Sequence, residues 1–313
     1  MPYFVIEAMM RVHRDIRKCV VYVGLEAAGG FVPLGTGFIV AIPFTETHAF
    51  MYLVTARHLI DEYIMGDTLW MRLNRLSGIA ESIALSRHNM ITHPTRHDDI
   101  ALFGLPWLGI DVYDYRALIL SRERLQVGRS EMWDIGVGDE VVAIGLYTSH
   151  YGVTKNIPVT RIGNIALLPE EPVRIPGGHY ADAYLIELRT IAGLSGSPVF
   201  VNTPTVQVRD GQLKYVKDGI PEALNPLGVL VAYHVVESAE DQVGVPRYQG
   251  QEDAGTIRDS IDQRNTGFGV VIPIEHILDL VELPEFQEKT RAKYETDIKE
   301  IEKRGAVRFI NAR

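Results

Sequence analysis

The feature that most constrains the fold is a series of short apolar runs, each closed by turn residues. "CVVYVGLE", "GTGFIVAIP", "AFMYLVTA", "TLWMRL", "DIALFGL", "DEVVAIGLY", "VTRIGNIALL", "AYLIELR", "SPVFV" and "LGVLVAYHVV" follow one another along the chain. They are rich in β-branched and aromatic residues and bounded by Gly, Pro, Asp or Asn, the pattern of strands and turns. Helical patterns do not alternate with them, so a parallel α/β sheet is disfavoured. The expected fold class is all-β, built as barrels or sandwiches. No internal repeat is visible.

A chain of 313 residues suggests two domains or one large double-barrel unit. The net charge of −9 argues against a general binder of nucleic acid or anionic membrane, since both want a basic surface. Cys19 is the single cysteine, so no intrachain disulfide can form and a reducing compartment is favoured. The first residues, "MPYFVIEAMMRVHRDIRKCVVYVG", are interrupted by Glu7 and Arg11 and do not read as a signal peptide. No run approaches the ~18 apolar residues of a membrane span. A cytoplasmic protein without membrane or nucleic-acid partners is therefore expected.

Two stretches read as insertions. Residues 202–226 suggest a hairpin turning at Asp210-Gly211, and residues 237–267 are polar and turn-rich. Helix is expected late. In "PIEHILDLVEL", Ile274, Ile277, Leu278 and Val281 share one face, with Pro273 suited to the first helical position. After Pro284 a mostly charged segment reads as a second helix ending at Gly305.

Three segments can carry chemistry together: "YLVTARHLI" with His58, "HDDIALFGL" with Asp98 and Asp99, and "TIAGLSGSPVF" with Ser195. A serine hydroxyl is a poor nucleophile at neutral pH, so an imidazole must accept its proton. A buried carboxylate must hold that imidazole in one tautomer. Backbone amides must face the developing oxyanion, and glycines beside the serine allow the tight geometry this requires.

In order as well as content, these segments resemble the chymotrypsin/trypsin-like serine protease superfamily, in particular its disulfide-poor, HtrA-like and glutamyl-endopeptidase-like bacterial branch. "GTGFIV" resembles the strand before the histidine strand, "VTARH" the T-A-x-H motif, "DDIAL" the D-[IL]-A-[LV] motif, and "GLSGSPVF" the G-x-S-G-[GS]-P motif. The resemblance implies two Greek-key β-barrels of the trypsin-like protease fold, followed by C-terminal α-helices. It divides the chain into an extension over 1–14, a first barrel over 15–120, a second over 121–273 and a helical segment over 274–313. It implies a serine endopeptidase with His58 as base, Asp99 as orienting acid and Ser195 as nucleophile. The Gly193 and Ser195 amides would form the oxyanion hole, and no cofactor or metal is needed.

Several positions stay open. Arg57 either points to solvent or lines the cleft. Ser197 stands where relatives often have glycine, and Asp98 reads as a turn carboxylate beside the acid. Substrate contacts fall on Arg189 and on Leu230, Val231 and Ala232. Arg189 would favour acidic side chains if it points inward, and the other three would favour apolar or small ones if it does not. Leu230 stands where glutamate-specific relatives carry a histidine, and His234 follows later in that strand. His93 and His97 precede the two aspartates, but their spacing fits no familiar zinc pattern.

Expected partners are a protein or peptide substrate and, through the C-terminal helices, an activating partner or a second copy. Two other readings of the same residues compete with this one. A protease-fold module that binds a peptide or protein without cleaving it would keep the scaffold and lose the chemistry. An α/β-hydrolase would want G-x-S-x-G, where this chain has Ser197 in place of the last glycine, and would draw its acid and histidine from after the serine rather than before it.

Overall fold

The structure, a computed structural model, describes residues 12, 15–45, 48–63, 68–95, 98–106, 108–127, 135–175, 179–189, 192–202, 206–209, 212–215, 224–235, 265–284 and 286–288. These residues are mostly strand, and two β units follow one another along the chain.

The first unit holds β1 (Val20–Ala27), β2 (Gly30–Pro43), β3 (Ala49–Ala56), β4 (Thr68–Asn74), β5 (Ala80–Ser86), β6 (Met90–Ile91), β7 (Ile100–Gly104) and β8 (Leu118–Ile119). They form one sheet in the order β5-β4-β1-β2-β3-β7-β6, with β8 running parallel to β2. This unit is an open half-barrel among the described residues rather than a closed one. The two ends of the sheet, β5 and β6, pair with β4 and β7 only.

The second unit holds β9 (Glu140–Gly145), β10 (Val159–Leu167), β11 (Val173–Arg174), β12 (Tyr180–Ala181), β13 (Tyr184–Glu187), β14 (Ser197–Asn202), β15 (Val206–Arg209), β16 (Gln212–Tyr215), β17 (Leu224–Val235) and β18 (Asn265–Pro273). Six of them close a barrel in the order β10-β13-β18-β17-β14-β9. β15 and β16 pair with Arg209 opposite Gln212, and the turn expected at Asp210-Gly211 lies outside the described residues. The insertion beginning at 237 lies outside the described residues as far as 264.

The apolar run of β9 shows why its sequence does not alternate with polar residues. Val141 and Ala143 enter the second barrel with Ile186, Val199 and Leu230. Val142 and Ile144, on the opposite face, join the larger core with Phe38, Leu53 and Val229. Successive side chains of a strand point to opposite faces, so a strand packed on both reads as continuously apolar.

A loop from the second unit also grips the first. Arg72 on β4 is 6% exposed and donates to the carbonyls of Gly152 (2.8 Å) and Val153 (2.7 Å). Its guanidinium lies over the rings of Phe31 and Tyr151. Asn74 Nδ2 donates to the Asn156 carbonyl, and the Asn156 amide donates back to Asn74 Oδ1. A buried guanidinium is tolerated because carbonyls receive its protons and aromatic faces cover it.

Three helices matter to the site: α1 (His58–Tyr63), α2 (Arg122–Val127) and α3 (Glu275–Glu282). The late helix is where its periodicity predicts it, with Ile277 and Leu278 buried. Pro273 is not its first residue. It ends β18 opposite Gly228, and Ile274 is the N-cap. Arg122 clasps α3 to α2 through Asp279 (2.5 Å) and Glu282 (2.7 Å). Of the second predicted helix, residues 284 and 286–288 are helical, and 289–313 lie outside the described residues. Among the described residues, no helix is long and apolar enough to cross a membrane.

Candidate active site

β3 ends at Ala56, and His58 opens α1 immediately beyond it. Asp99 precedes β7, which pairs with β3 so that Ile100 faces Ala56. Two adjacent strands thus deliver both residues to the same edge. The Asp99 carboxylate grips His58 twice. Oδ1 accepts from the His58 backbone amide at 2.8 Å, and Oδ2 lies 2.6 Å from Nδ1. The Arg57 amide donates to the Asp99 carbonyl at 3.2 Å. An ionised carboxylate only accepts, so Nδ1 carries the proton and Nε2 is left as the basic nitrogen.

Burial of the ring opposes its protonation, but the Asp99 hydrogen bond and charge outweigh it. The charges of Glu62 and Asp61 add to the same side, and the His58 pKa is raised above its ordinary value. The sign for activity follows directly, since a general base must be neutral. The low-pH limb of any His58-dependent turnover is therefore expected above the ordinary histidine value of about 6.5. A pH profile of kcat/KM checks this, and a limb at or below that value contradicts it.

Ser195 comes from the second unit, in the turn before β14. Gly193 (φ 98°) and Gly196 (φ 84°) flank it in left-handed conformations. Thr36 on β2, fully buried, holds this turn from the first unit. Its amide donates to the Ser195 carbonyl (2.9 Å), and its hydroxyl donates to the Gly193 carbonyl (2.7 Å). The same hydroxyl accepts from the Leu146 amide (2.8 Å). Thr55 on β3 donates its hydroxyl to the Thr36 carbonyl at 2.7 Å. A Cβ built on Gly196 would lie 2.7 Å from Thr55 Oγ1 and 3.0 Å from the Ala56 nitrogen. The serine turn is therefore pressed against the end of the strand that leads into His58. Among the described residues no hydrogen bond joins Ser195 to His58, and the Gly193 and Ser195 amides donate to no partner. Such contacts are commonly loose in a free site and tighten when substrate binds.

The two serines of "GLSGSP" separate cleanly. Ser195 is half-exposed, whereas Ser197 is fully buried with its hydroxyl against Gly145. The two aspartates separate as well. Asp98 is 5% exposed and its Oδ2 lies 2.9 Å from Nδ1 of His276 on α3. It is thus more than a solvated turn residue. Arg57 is drawn along the surface by Asp61 (3.0 Å), which also binds Arg87.

The residues proposed for substrate contact divide. Leu230 and Val231 are buried, one in each core cluster, because alternate residues of β17 face the barrel interior and the first unit. Ala232 is half-exposed, and Arg189 is exposed just beyond β13. The backbone of β17 has a further use. Its pairing with β14 ends at Leu230 opposite Ser197, while its pairing with β18 continues to Val235. Residues 231–235 thus have an edge, beside Ser195, that is not paired among the described residues. His234 lies on this edge segment, and its side chain is outside the described residues, as is the whole of His97. His93 accepts from the Thr95 amide, and no metal-holding cluster occurs among the described residues. A polar cavity of about 250 Å³, walled by Arg17, Asn74, Lys155 and Asn156, involves none of these site residues.

Sequence reasoning missed Thr36 and His276. "GTGF" drew attention to its glycines, although a threonine between them is an available hydrogen-bonding group. His276 was visible only as one more residue of an amphipathic helix.

Two β units, a half-barrel supplying a histidine–aspartate pair and a closed barrel supplying a serine on a glycine turn, define the class: this is a trypsin-like protease fold. No family model matches the sequence, and no curated protein sequence matches it. Among solved structures, the chain is similar to HtrA-type protease domains. The MamO protease domain from Magnetospirillum magneticum, apo form, aligns at 12% identity and TM-score 0.49, covering 86% of this chain and 98% of that one. Deg5 aligns at 17% identity and TM-score 0.42, covering 70% and 81%. The HtrA-type protease AlgW with a decapeptide aligns at 14% identity and TM-score 0.45, covering 85% and 64%.

Proposed function

We propose that the protein is a serine endopeptidase that cleaves peptide bonds through an acyl-enzyme. The observation that carries this reading is the double grip of Asp99 on His58 beside a half-exposed Ser195 on a glycine turn. Substrate binds extended, adding a strand to the edge of β17 at 231–235 that is unpaired among the described residues. Ser195 Oγ attacks the scissile carbonyl carbon while His58 Nε2 takes its proton. The carbonyl oxygen becomes an oxyanion facing the Gly193 and Ser195 amides. Asp99 keeps the proton on Nδ1 and stabilises the imidazolium. The C–N bond then breaks, His58 protonates the departing amine, and the acyl group stays on Ser195. Water deprotonated by His58 attacks the ester, releasing the acid and restoring the serine. The chain's own groups suffice for every step.

A fluorophosphonate probe is expected to label the folded protein once, at Ser195, with the adduct located by peptide mass spectrometry. Folded wild-type protein that resists labelling would contradict the enzyme reading. It would leave the scaffold as a module that binds peptide without cutting it.

A further inference from the structure

We propose that His276, acting through Asp98, is a positioning residue for the catalytic acid, so that α3 helps to set the basicity of His58. The inference rests on the protease reading of the site and names a residue outside the triad.

Asp99 sits at the centre of a three-residue turn, in which the Ile100 amide donates to the Asp98 carbonyl at 2.7 Å. Such a turn determines where its central side chain points. Asp99 must aim both oxygens at once, one at a backbone amide and one at Nδ1. A small rotation of the turn loses one of the two. On the C-terminal side the turn is anchored by β7, whose Ile100 lies opposite Ala56. On the N-terminal side, the anchor among the described residues is the Asp98 side chain, held by His276 at 2.9 Å.

This contact spans 178 residues and ties the helix following β18 to the first unit. Both partners are nearly excluded from water, at 8% and 5% exposure. A buried carboxylate that loses one of its donors shifts toward its remaining partners or toward solvent, because desolvation leaves the freed oxygen unsatisfied. The Asp98 movement would turn the peptide on which Asp99 sits. The helix itself is fixed independently, by the Arg122 clasp and by Ile277 and Leu278 in the core. His276 is thus presented from a rigid element, as a positioning group requires.

The test uses the full chain. The His58 titration midpoint is read by NMR, and kcat and KM are read on a reporter peptide. Asp99 supplies the largest contributions that raise the His58 pKa, and Asp61 and Glu62 on α1 supply the remainder. The variants leave all three in place. In His276→Ala the His58 midpoint is expected to fall and kcat to drop about 10- to 100-fold at little change in KM, the scale of an ångström-level misplacement. His276→Asn, which can still donate to Asp98, and Asp98→Asn, which can still accept, are expected to keep the wild-type midpoint.

If His276→Ala fails to fold, the double variant Asp98→Ala/His276→Leu removes the pair without leaving a lone buried charge, and the same fall is expected. An unchanged His58 midpoint in a folded variant lacking the pair overturns the proposal, as does a fall that neither asparagine variant prevents. The midpoint is independent of turnover. An unlabelled wild type with a His276-sensitive midpoint therefore refutes the protease reading alone.

Discussion

Ser195→Ala protein is expected to lose turnover by about 10⁶-fold, while Ser197→Ala protein keeps it. The two hydroxyls are two residues apart in one glycine-rich turn, yet the fold gives them opposite surroundings. Ser195 is half-exposed, and the adjoining Gly196 lies against the end of the strand that leads into His58. Under the proposed mechanism, removing its oxygen removes the bond-forming atom and leaves only the water reaction assisted by binding and the oxyanion amides. The Ser197 hydroxyl is sealed from solvent and makes no hydrogen bond among the described residues. Deleting an unsatisfied buried hydroxyl is close to neutral. Single-turnover cleavage of a reporter peptide, with labelling by the fluorophosphonate probe, measures both. Residual cleavage by Ser195→Ala protein at the wild-type rate would exclude Ser195 as nucleophile. Loss of cleavage by folded Ser197→Ala protein would exclude the division of roles drawn between them.

What was legible in the sequence was local. Strand runs, the paired strands on either side of residues 210–211 and the amphipathic helix after Pro273 each follow from spacing within a dozen residues, and the structure has all three. The segments carrying His58, Asp99 and Ser195 were legible because each strand end or turn has its own local pattern. Illegible features are those made by contacts between distant segments. Thr36 binds the serine turn across 157 residues, and Asp98 finds His276 across 178. Neither residue differs in type or spacing from ordinary polar residues of a β protein. Arg72 is similar: nothing in "TLWMRL" marks an arginine destined for burial under a loop of the second unit. The open first sheet was also unreadable, since closure depends on pairing between β5 and β6 rather than on either strand's pattern. On β17, Leu230 and Val231, both expected near the substrate, have buried side chains, one in each core cluster. Apolar strand residues beside a site look alike in sequence whether they face a ligand or the interior.

Gly196→Ala is expected to cost about 2–5 kcal/mol of stability and to lower the melting temperature by about 5–15 °C. Two costs add at this position. The backbone is left-handed (φ 84°), which alone strains an alanine by about 1–2 kcal/mol. A Cβ would also collide with the Thr36 carbonyl, and it would come within 2.7 Å of Thr55 Oγ1 and 3.0 Å of the Ala56 nitrogen. Two of these three are backbone atoms of strands inside the first unit, so the serine turn must be the part that yields. Its retreat would stretch the Thr36 bond to the Ser195 carbonyl and carry Ser195 away from His58.

Gly78→Ala separates the two costs. Gly78 has nearly the same φ (87°) but nothing within 4 Å of its Cβ position, so only the strain remains. Its expected loss is about 1–2 kcal/mol with activity intact. Thermal unfolding and kcat/KM of the two variants give the comparison. Equal losses of stability, or an undiminished kcat/KM in Gly196→Ala protein, would mean that the serine turn does not depend on its contact with β2 and β3.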